Sequence, residues 1–121
     1  MDINQACEAF RVLLEEQSAR IANMNTEKTD FSTKKCVTIG VVDGDGIGPI
    51  ITRQAARVLK ALLADEIAAG SVIVREIEGL TIENRIAQGK AIPDDVLAQI
   101  KACDVILKAP LKHGADCPGY W

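Results

Sequence analysis

Residues 36–49 read CVTIGVVDGDGIGP, and this stretch decides the fold. Its first half is an almost continuous apolar run, which is typical of a strand covered on both faces. Its second half holds three glycines and a proline, which predict a tight turn. Pro49 suits the first turn of a helix, because its φ is fixed and its missing N–H is not needed there. The stretch therefore predicts a buried strand, a turn and a helix.

Strands and helices alternate after this turn. The second predicted strand is less apolar than the first, so we expect it nearer an edge of the sheet. The predicted elements are, in order, a helix over residues 50–63, a strand at 72–77, a helix at 81–88 ending at Gly89, a helix from Pro93 to Asp104, and a strand at 105–107. This order predicts an α/β fold with an open, mostly parallel sheet.

An amphipathic helix is predicted to precede this domain. Apolar residues recur at steps of three and four over residues 1–24, and charged residues fill the other face. We favour docking of this helix on its own domain over an oligomer contact. Residues 25–35 are predicted as a linker, 36–110 as the α/β domain and 111–121 as a tail.

Composition excludes several classes of protein. The chain has 121 residues, of which 48% are apolar and 26% charged, and its net charge is −3. This charge gives no electrostatic case for binding nucleic acid or an anionic membrane. No apolar run approaches the roughly 20 residues of a membrane span, and the start has no basic signal-peptide region. We expect a soluble, cytoplasmic protein.

The four cysteines form no regular metal-binding spacing. Cys103, His113 and Cys117 would supply three irregularly spaced ligands, whereas structural zinc normally takes four. We favour reduced, structural thiols, and we predict no metal ligands in this chain.

The glycine loop fails the usual nucleotide tests. It has G-x-G-x-G where a dinucleotide fingerprint needs G-x-G-x-x-G, and it lacks the Gly-Lys-Ser/Thr of a phosphate-binding loop. Its position between a strand and a helix still allows the backbone N–H groups of Gly46–Gly48 to meet a ligand. The alternative is a turn that needs glycines for positive φ and close packing. The residues leave these two interpretations open.

Three charged side chains near the expected ligand edge have two interpretations each. Asp43 and Asp45 can hold Mg²⁺, but such aspartates more often bond the backbone of their own loop, which is the interpretation we favour. Lys108 directly follows the third strand and can meet a carboxylate or phosphate. It can equally be a surface lysine whose stem covers apolar groups.

Two motifs resemble one enzyme family. Residues 41–49, VVDGDGIGP, resemble the GDGIGP signature of the isocitrate, isopropylmalate, homoisocitrate and tartrate dehydrogenases. Residues 92–110, IPDDVLAQIKACDVILKAP, are similar to the family's second motif, in which a proline-initiated helix leads to a strand ending in Lys-Gly-Pro. The amino-terminal helix resembles that of bacterial isocitrate dehydrogenases with a helical extension. So do residues 48–52, GPIIT, where most members have Glu after the proline.

The resemblance implies a partial isopropylmalate-dehydrogenase-like domain and an oxidative decarboxylation. Family members use NAD or NADP and Mg²⁺ or Mn²⁺ to oxidise a 2-hydroxy-3-carboxy acid. Within the family the resemblance points to isocitrate dehydrogenase, and the complete enzyme would be a homodimer. The resemblance places Lys108 near substrate and nicotinamide, and the loop residues Asp45, Gly46, Ile47 and Gly48 at the cleft floor. It assigns no catalytic or metal-binding residue to this chain. We therefore expect the chain alone to be inactive and to bind no cofactor tightly.

The sequence departs from the family after Pro110. Lys112 stands where a hydroxyl residue is usual, and no arginine follows Arg85. We expect an amino-terminal segment of a longer enzyme, produced by truncation, by a frameshift or as the subunit of a split enzyme. The competing hypotheses are a non-catalytic binding or assembly module of the same fold, and an unrelated phosphate-binding βαβ domain.

Overall fold

The computed structural model describes residues 2–24 and 26–112. Its contacts divide the chain into two compact units, Met1–Asp30 and Phe31–Trp121. The predicted boundaries at residues 24, 35 and 110 remain predictions. Among the described residues, none of the helices is both long and apolar enough to cross a membrane.

The first unit contains helix α1, Ile3–Ala22. It begins with a capping box: the Gln5 N–H donates to the Asp2 carboxylate (2.8 Å), and the Asp2 N–H donates to the Gln5 side chain (3.2 Å). These bonds satisfy backbone donors that a helix start leaves free. The amphipathic helix predicted over residues 1–24 is confirmed between these bounds.

The second unit alternates strands and helices. A 3₁₀ turn at Phe31–Thr33 precedes the elements β1 Val37–Val42, α2 Gly48–Leu62, α3 Ala64–Ala68, β2 Val72–Glu76, α4 Ile82–Gln88, α5 Asp94–Lys101 and β3 Val105–Lys108. The predicted elements are all present, and Pro49 lies in the first turn of α2 as expected. The 3₁₀ turn and the short helix α3 were not predicted.

The three strands form one parallel sheet in the order β2-β1-β3. Strand β1 lies in the centre, and its residues from Ile39 to Val42 are buried. Val41 pairs with Glu76 of β2 and with Leu107 of β3, so the three strands end at one edge of the sheet. The predicted α/β fold and the edge position of β2 are confirmed.

The core packs against the end of β1. Val42, Ile77, Leu80 and Val96 are buried there, and Ile100, Cys103, Ile106 and Leu111 pack on them. Burying apolar area is the main favourable term in folding. Because the core includes the last residue of β1 and residues that follow β2 and β3, it also fixes the segments that leave the carboxyl ends of β2 and β3.

Asp104 anchors β3 to β1 at the opposite edge of the sheet. Its carboxylate accepts from the Thr38 N–H (2.9 Å) and pairs with Lys34. The hydrogen bond from the Lys34 side chain, followed by that from Thr38, lowers the pKa of the Asp104 carboxyl below its ordinary value. The expectation that Asp104 ends α5 was wrong, because the helix ends at Lys101 and Asp104 bonds to the neighbouring strand.

This pKa shift predicts an acid-sensitive contribution to stability. A carboxyl whose folded pKa is lowered stabilises the fold above its unfolded pKa, about 3.9 for Asp, and loses that contribution as pH falls through the folded value. Asp104→Asn should therefore have a lower urea midpoint than wild type at pH 7. Between about pH 4 and pH 2.5 the midpoint of Asp104→Asn should fall by less than the midpoint of wild type. Asp65→Asn, on exposed α3, is the matched control. Equal acid sensitivity in Asp104→Asn and wild type would contradict the assignment.

Candidate functional site

The two sequence motifs meet at the carboxyl edge of the sheet. The loop after β1 and the segment after β3 are joined by two backbone hydrogen bonds. The Ala109 N–H donates to the Val42 carbonyl (3.0 Å), and the Asp45 N–H donates to the Pro110 carbonyl (3.0 Å). In parallel α/β sheets this edge is where ligands bind.

The Asp45 carboxylate joins three segments of the chain. Its side chain is buried, with 9% of the residue exposed. One oxygen accepts from the Ile82 N–H at the start of α4 (2.7 Å), and the other accepts from the Lys112 N–H (2.9 Å). The own-loop bonding that we favoured for this aspartate was wrong. Its carboxylate instead satisfies distant backbone donors.

Arg85 binds the carbonyl of Lys112, the residue whose N–H is bound by Asp45. It is 2% exposed, and its Nε donates to the Ala91 carbonyl (2.8 Å) while Nη1 donates to the Lys112 carbonyl (3.0 Å). A buried guanidinium is costly unless its donors are satisfied, and here backbone carbonyls satisfy them. Sequence reasoning missed Arg85 as a buried residue. The available signal was its place in α4, three residues after Ile82 and one before Ile86.

Glycine is required at Gly44 by both conformation and space. Gly44 and Gly46 both have positive φ, 68° and 60°. A Cβ on Gly44 would lie 2.3 Å from the Pro110 carbonyl oxygen, whereas a Cβ on Gly46 would meet nothing within 4 Å. The turn interpretation, in which glycines provide positive φ and close packing, is confirmed. Gly44 and Gly46 both have positive φ, and Gly44 also allows the close approach of Pro110.

The start of α2 offers few free donors to a phosphate. The Gly48 N–H donates to the Asp45 carbonyl (2.9 Å), and Pro49 has no N–H. Ile47 lies at the exposed tip of the turn, with 63% of its surface accessible. Gly48 and Pro49 therefore supply no free backbone donor to a pyrophosphate in the manner of G-x-G-x-x-G.

Lys108 lies at the carboxyl end of β3, as its position in the sequence predicted. It pairs in register with Val42, and its side chain is exposed. The ammonium group donates to the carbonyl of the next residue, Ala109 (2.8 Å). This bond within the same segment leaves the ammonium close to the edge where the loop and β3 meet.

A cleft that sequence reasoning did not single out lies between the ends of β1 and β2. Its volume is about 430 Å³, and its lining includes Asp43, Gly44, Arg53, Glu76, Glu78 and Thr81. Neither Lys108 nor the loop residues from Asp45 to Gly48 line it. The predicted ligand-edge residues and this cleft are therefore separate features of one sheet edge.

The described residues contain no group of three or more His, Cys, Asp or Glu side chains able to hold a metal. Asp43 and Asp45 thus form no such group, and the metal that the resemblance implies does not fit the described part of the chain. Cys7, Cys36 and Cys103 are free cysteines, of which Cys7 is exposed and the other two are partly buried. His113 and Cys117, which belonged to the disfavoured metal hypothesis, lie outside the described residues.

Alanine substitutions can separate the two requirements at the glycine loop. We expect Gly46→Ala to cost about 1 to 2 kcal/mol, the usual penalty of left-handed backbone for an L-residue. Gly44→Ala adds the collision with Pro110 and should cost about 3 to 5 kcal/mol. Urea unfolding of the two variants measures both costs. Equal destabilisation would show that the contact between the loop and the segment after β3 is not tight.

Comparisons with known proteins find relatives of one kind. The chain is 44% identical over 69 residues to a 3-isopropylmalate dehydrogenase of Desulfitobacterium hafniense. The matched residues make up 57% of this chain and 19% of the relative. It is 41% identical over 71 residues to 3-isopropylmalate dehydrogenase 1 of Bradyrhizobium diazoefficiens, 59% of this chain and 18% of the relative. It is 34% identical over 79 residues to a 3-isopropylmalate dehydrogenase of Sulfurisphaera tokodaii. The matched residues make up 64% of this chain and 22% of the relative.

The chain thus spans about a fifth of the length of the curated relatives that it matches. No family model matches the chain, and no solved structure matches it either. The fold is nevertheless that of a partial, open α/β domain, and both family motifs meet at its ligand edge. The chain is thus similar, at about 40% identity, to part of the 3-isopropylmalate dehydrogenases.

Proposed function

We propose that this chain is the amino-terminal segment of an NAD(P)-dependent oxidative decarboxylase. The complete enzyme would be a cytoplasmic homodimer that oxidises a 2-hydroxy-3-carboxy acid. The observation that carries the proposal is the hydrogen-bonded meeting of the glycine loop and the segment after β3, through Asp45 and Pro110. The loop and this segment are the two elements that resemble the family, and they lie at the edge where α/β sheets bind ligands.

Lys108 is the side chain of this segment best suited to meet the substrate. An ammonium group at the end of a parallel strand attracts a carboxylate, and its present partner is only a neutral carbonyl. Exchanging a neutral acceptor for a charged one strengthens the hydrogen bond. We assign Lys108 the role of binding a substrate carboxylate beside the nicotinamide.

The loop supports this site in two ways. Gly46 and Ile47 at its exposed tip can lie against the ligand as the cleft floor, and no Cβ at Gly46 limits the approach. Asp45 and Gly48 hold the turn in shape, since the Gly48 N–H donates to the Asp45 carbonyl. NAD or NADP would supply the hydride acceptor. The divalent metal finds no ligand group in the described residues, so we assign it no step here.

The relatives favour 3-isopropylmalate as the substrate. All three described above carry the name 3-isopropylmalate dehydrogenase. The amino-terminal helix and residues 48–52 instead resemble an isocitrate dehydrogenase subgroup. We give priority to the relatives, because their identity extends over about 70 residues and the resemblance to the subgroup rests on a helix and one short segment.

A chimeric enzyme tests both the activity and the substrate. Residues 36–110 would replace the segment that they match in the Desulfitobacterium hafniense enzyme. We expect NAD⁺ reduction with 3-isopropylmalate. Lys108→Met in this chimera should lower kcat/KM about 10- to 100-fold, the effect of losing a hydrogen bond to a charged group. Lys101→Met, which removes an exposed lysine from the end of α5, should leave it unchanged.

Three outcomes would count against parts of this proposal. A folded chimera that turns over neither substrate favours the non-catalytic module. Turnover of isocitrate alone reverses the choice of substrate. Equal effects of Lys108→Met and Lys101→Met remove Lys108 from the binding site. Circular dichroism and the oligomeric mass of each chimera establish that it has folded before its rates are compared.

A further inference from the structure

Helix α1 carries a heptad pattern that the proposed function does not use. The positions Ile3, Cys7, Phe10, Leu14, Gln17 and Ile21 follow one another at alternating steps of four and three. This spacing is that of the a and d positions of a coiled coil, which form a seam along one side of a helix. The seam is apolar except at Gln17, and it runs almost the whole length of the helix.

The apolar residues of the seam are exposed. No residue of α1 is buried, and Phe10, Leu14 and Ile21 have 59%, 50% and 62% of their surface accessible. Most of the stability of a helix in a protein comes from covering its apolar face. A helix with a complete capping box and an exposed seam therefore gains stability when a partner covers that seam.

The seam is large enough for a pair of such helices. Covering the apolar seam residues and Leu13, which flanks them, removes roughly 80 Å² of apolar surface per side chain on the usual scale of burial. Two helices together would bury about 1,000 Å², close to the lower limit of specific interfaces.

The charged residues beside the seam permit this pairing. Arg11, which directly follows Phe10, is held by Glu8 and Glu15 of the same helix at 2.5 Å each. Its positive charge is thus compensated within each helix, so two copies do not repel through it. A single polar residue such as Gln17 within an apolar seam is a feature that selects register at some cost in stability.

We propose that α1 pairs with α1 of a second copy of this chain as a two-stranded coiled coil. The occupant of the seam is the same helix, because the seam extends over about five turns, its apolar residues can cover an identical apolar seam, and the charge of Arg11 beside it is compensated. The proposal rests on the first unit of the chain alone and stands independently of the enzymatic assignment.

Two lysine substitutions on the same helix test the proposal. The full chain is measured by sedimentation equilibrium from about 1 to 100 µM, where we expect the mass to rise toward twice 13.0 kDa. Leu14→Lys places a charge in the seam and should weaken dimerisation at least about tenfold. Val12→Lys places the same charge two residues away, on the opposite side of the helix, where Val12 is 42% exposed, and should leave the dimer intact.

Phe10→Lys provides a second seam variant and should behave like Leu14→Lys. A wild-type chain that stays monomeric over the whole range would overturn the proposal and favour docking of α1 on its own domain. Equal loss of the dimer in Val12→Lys and the seam variants would also overturn it. A dimer that persists in both seam variants would place the interface elsewhere. Helicity measured by circular dichroism separates loss of pairing from loss of α1 in each variant.

Discussion

The second unit depends on one buried carboxylate, that of Asp45. Its two oxygens accept from backbone N–H groups that lie 37 and 67 residues further along the chain, at Ile82 and Lys112. An isolated carboxylate would be costly to bury, but hydrogen bonds to both oxygens offset much of that cost. The same bonds satisfy a donor at the start of α4 and one beyond β3, which otherwise would need other partners. Asp45 therefore converts the end of β1 into a common attachment point for two later segments.

Arg85 binds the other polar backbone group of Lys112. Asp45 takes the N–H of Lys112, and Arg85 takes its carbonyl, so both polar groups of that backbone residue are bound by buried side chains of opposite charge. Apolar packing alone would hold this segment with less directional precision, because the hydrophobic effect is not directional. The core residue Leu111 is thereby fixed between two anchored neighbours, Pro110 and Lys112. The segment that carries Lys108 is consequently held at both ends, by β3 before it and by this pair of contacts after it.

Local patterns predicted most of the fold, and contacts between distant residues account for what they missed. The apolar run before Asp43 predicted the central strand, and Pro93 and Gly89 predicted helix limits, because strand burial and helix capping are local in sequence. Asp104 could not be assigned in this way, since its partner Thr38 lies 66 residues away. The same reasoning placed Lys108 at the ligand edge from the end of its strand. It could not place Asp45 or Arg85 inside the fold, because their partners are backbone groups that only the tertiary structure brings near.

The failure of the glycine loop as a nucleotide fingerprint has a structural cause in these contacts. In a phosphate-binding loop, glycines let backbone N–H groups approach an anion. Here Gly44 makes room for the Pro110 carbonyl, and the Gly48 N–H is occupied by the carbonyl of Asp45. Gly44 therefore serves to join β1 to the segment after β3, and the Gly48 N–H closes the loop's own turn. Side-chain charge would therefore matter for recognising an anion at this edge, and Lys108 at the carboxyl end of β3 is a cation suited to that role.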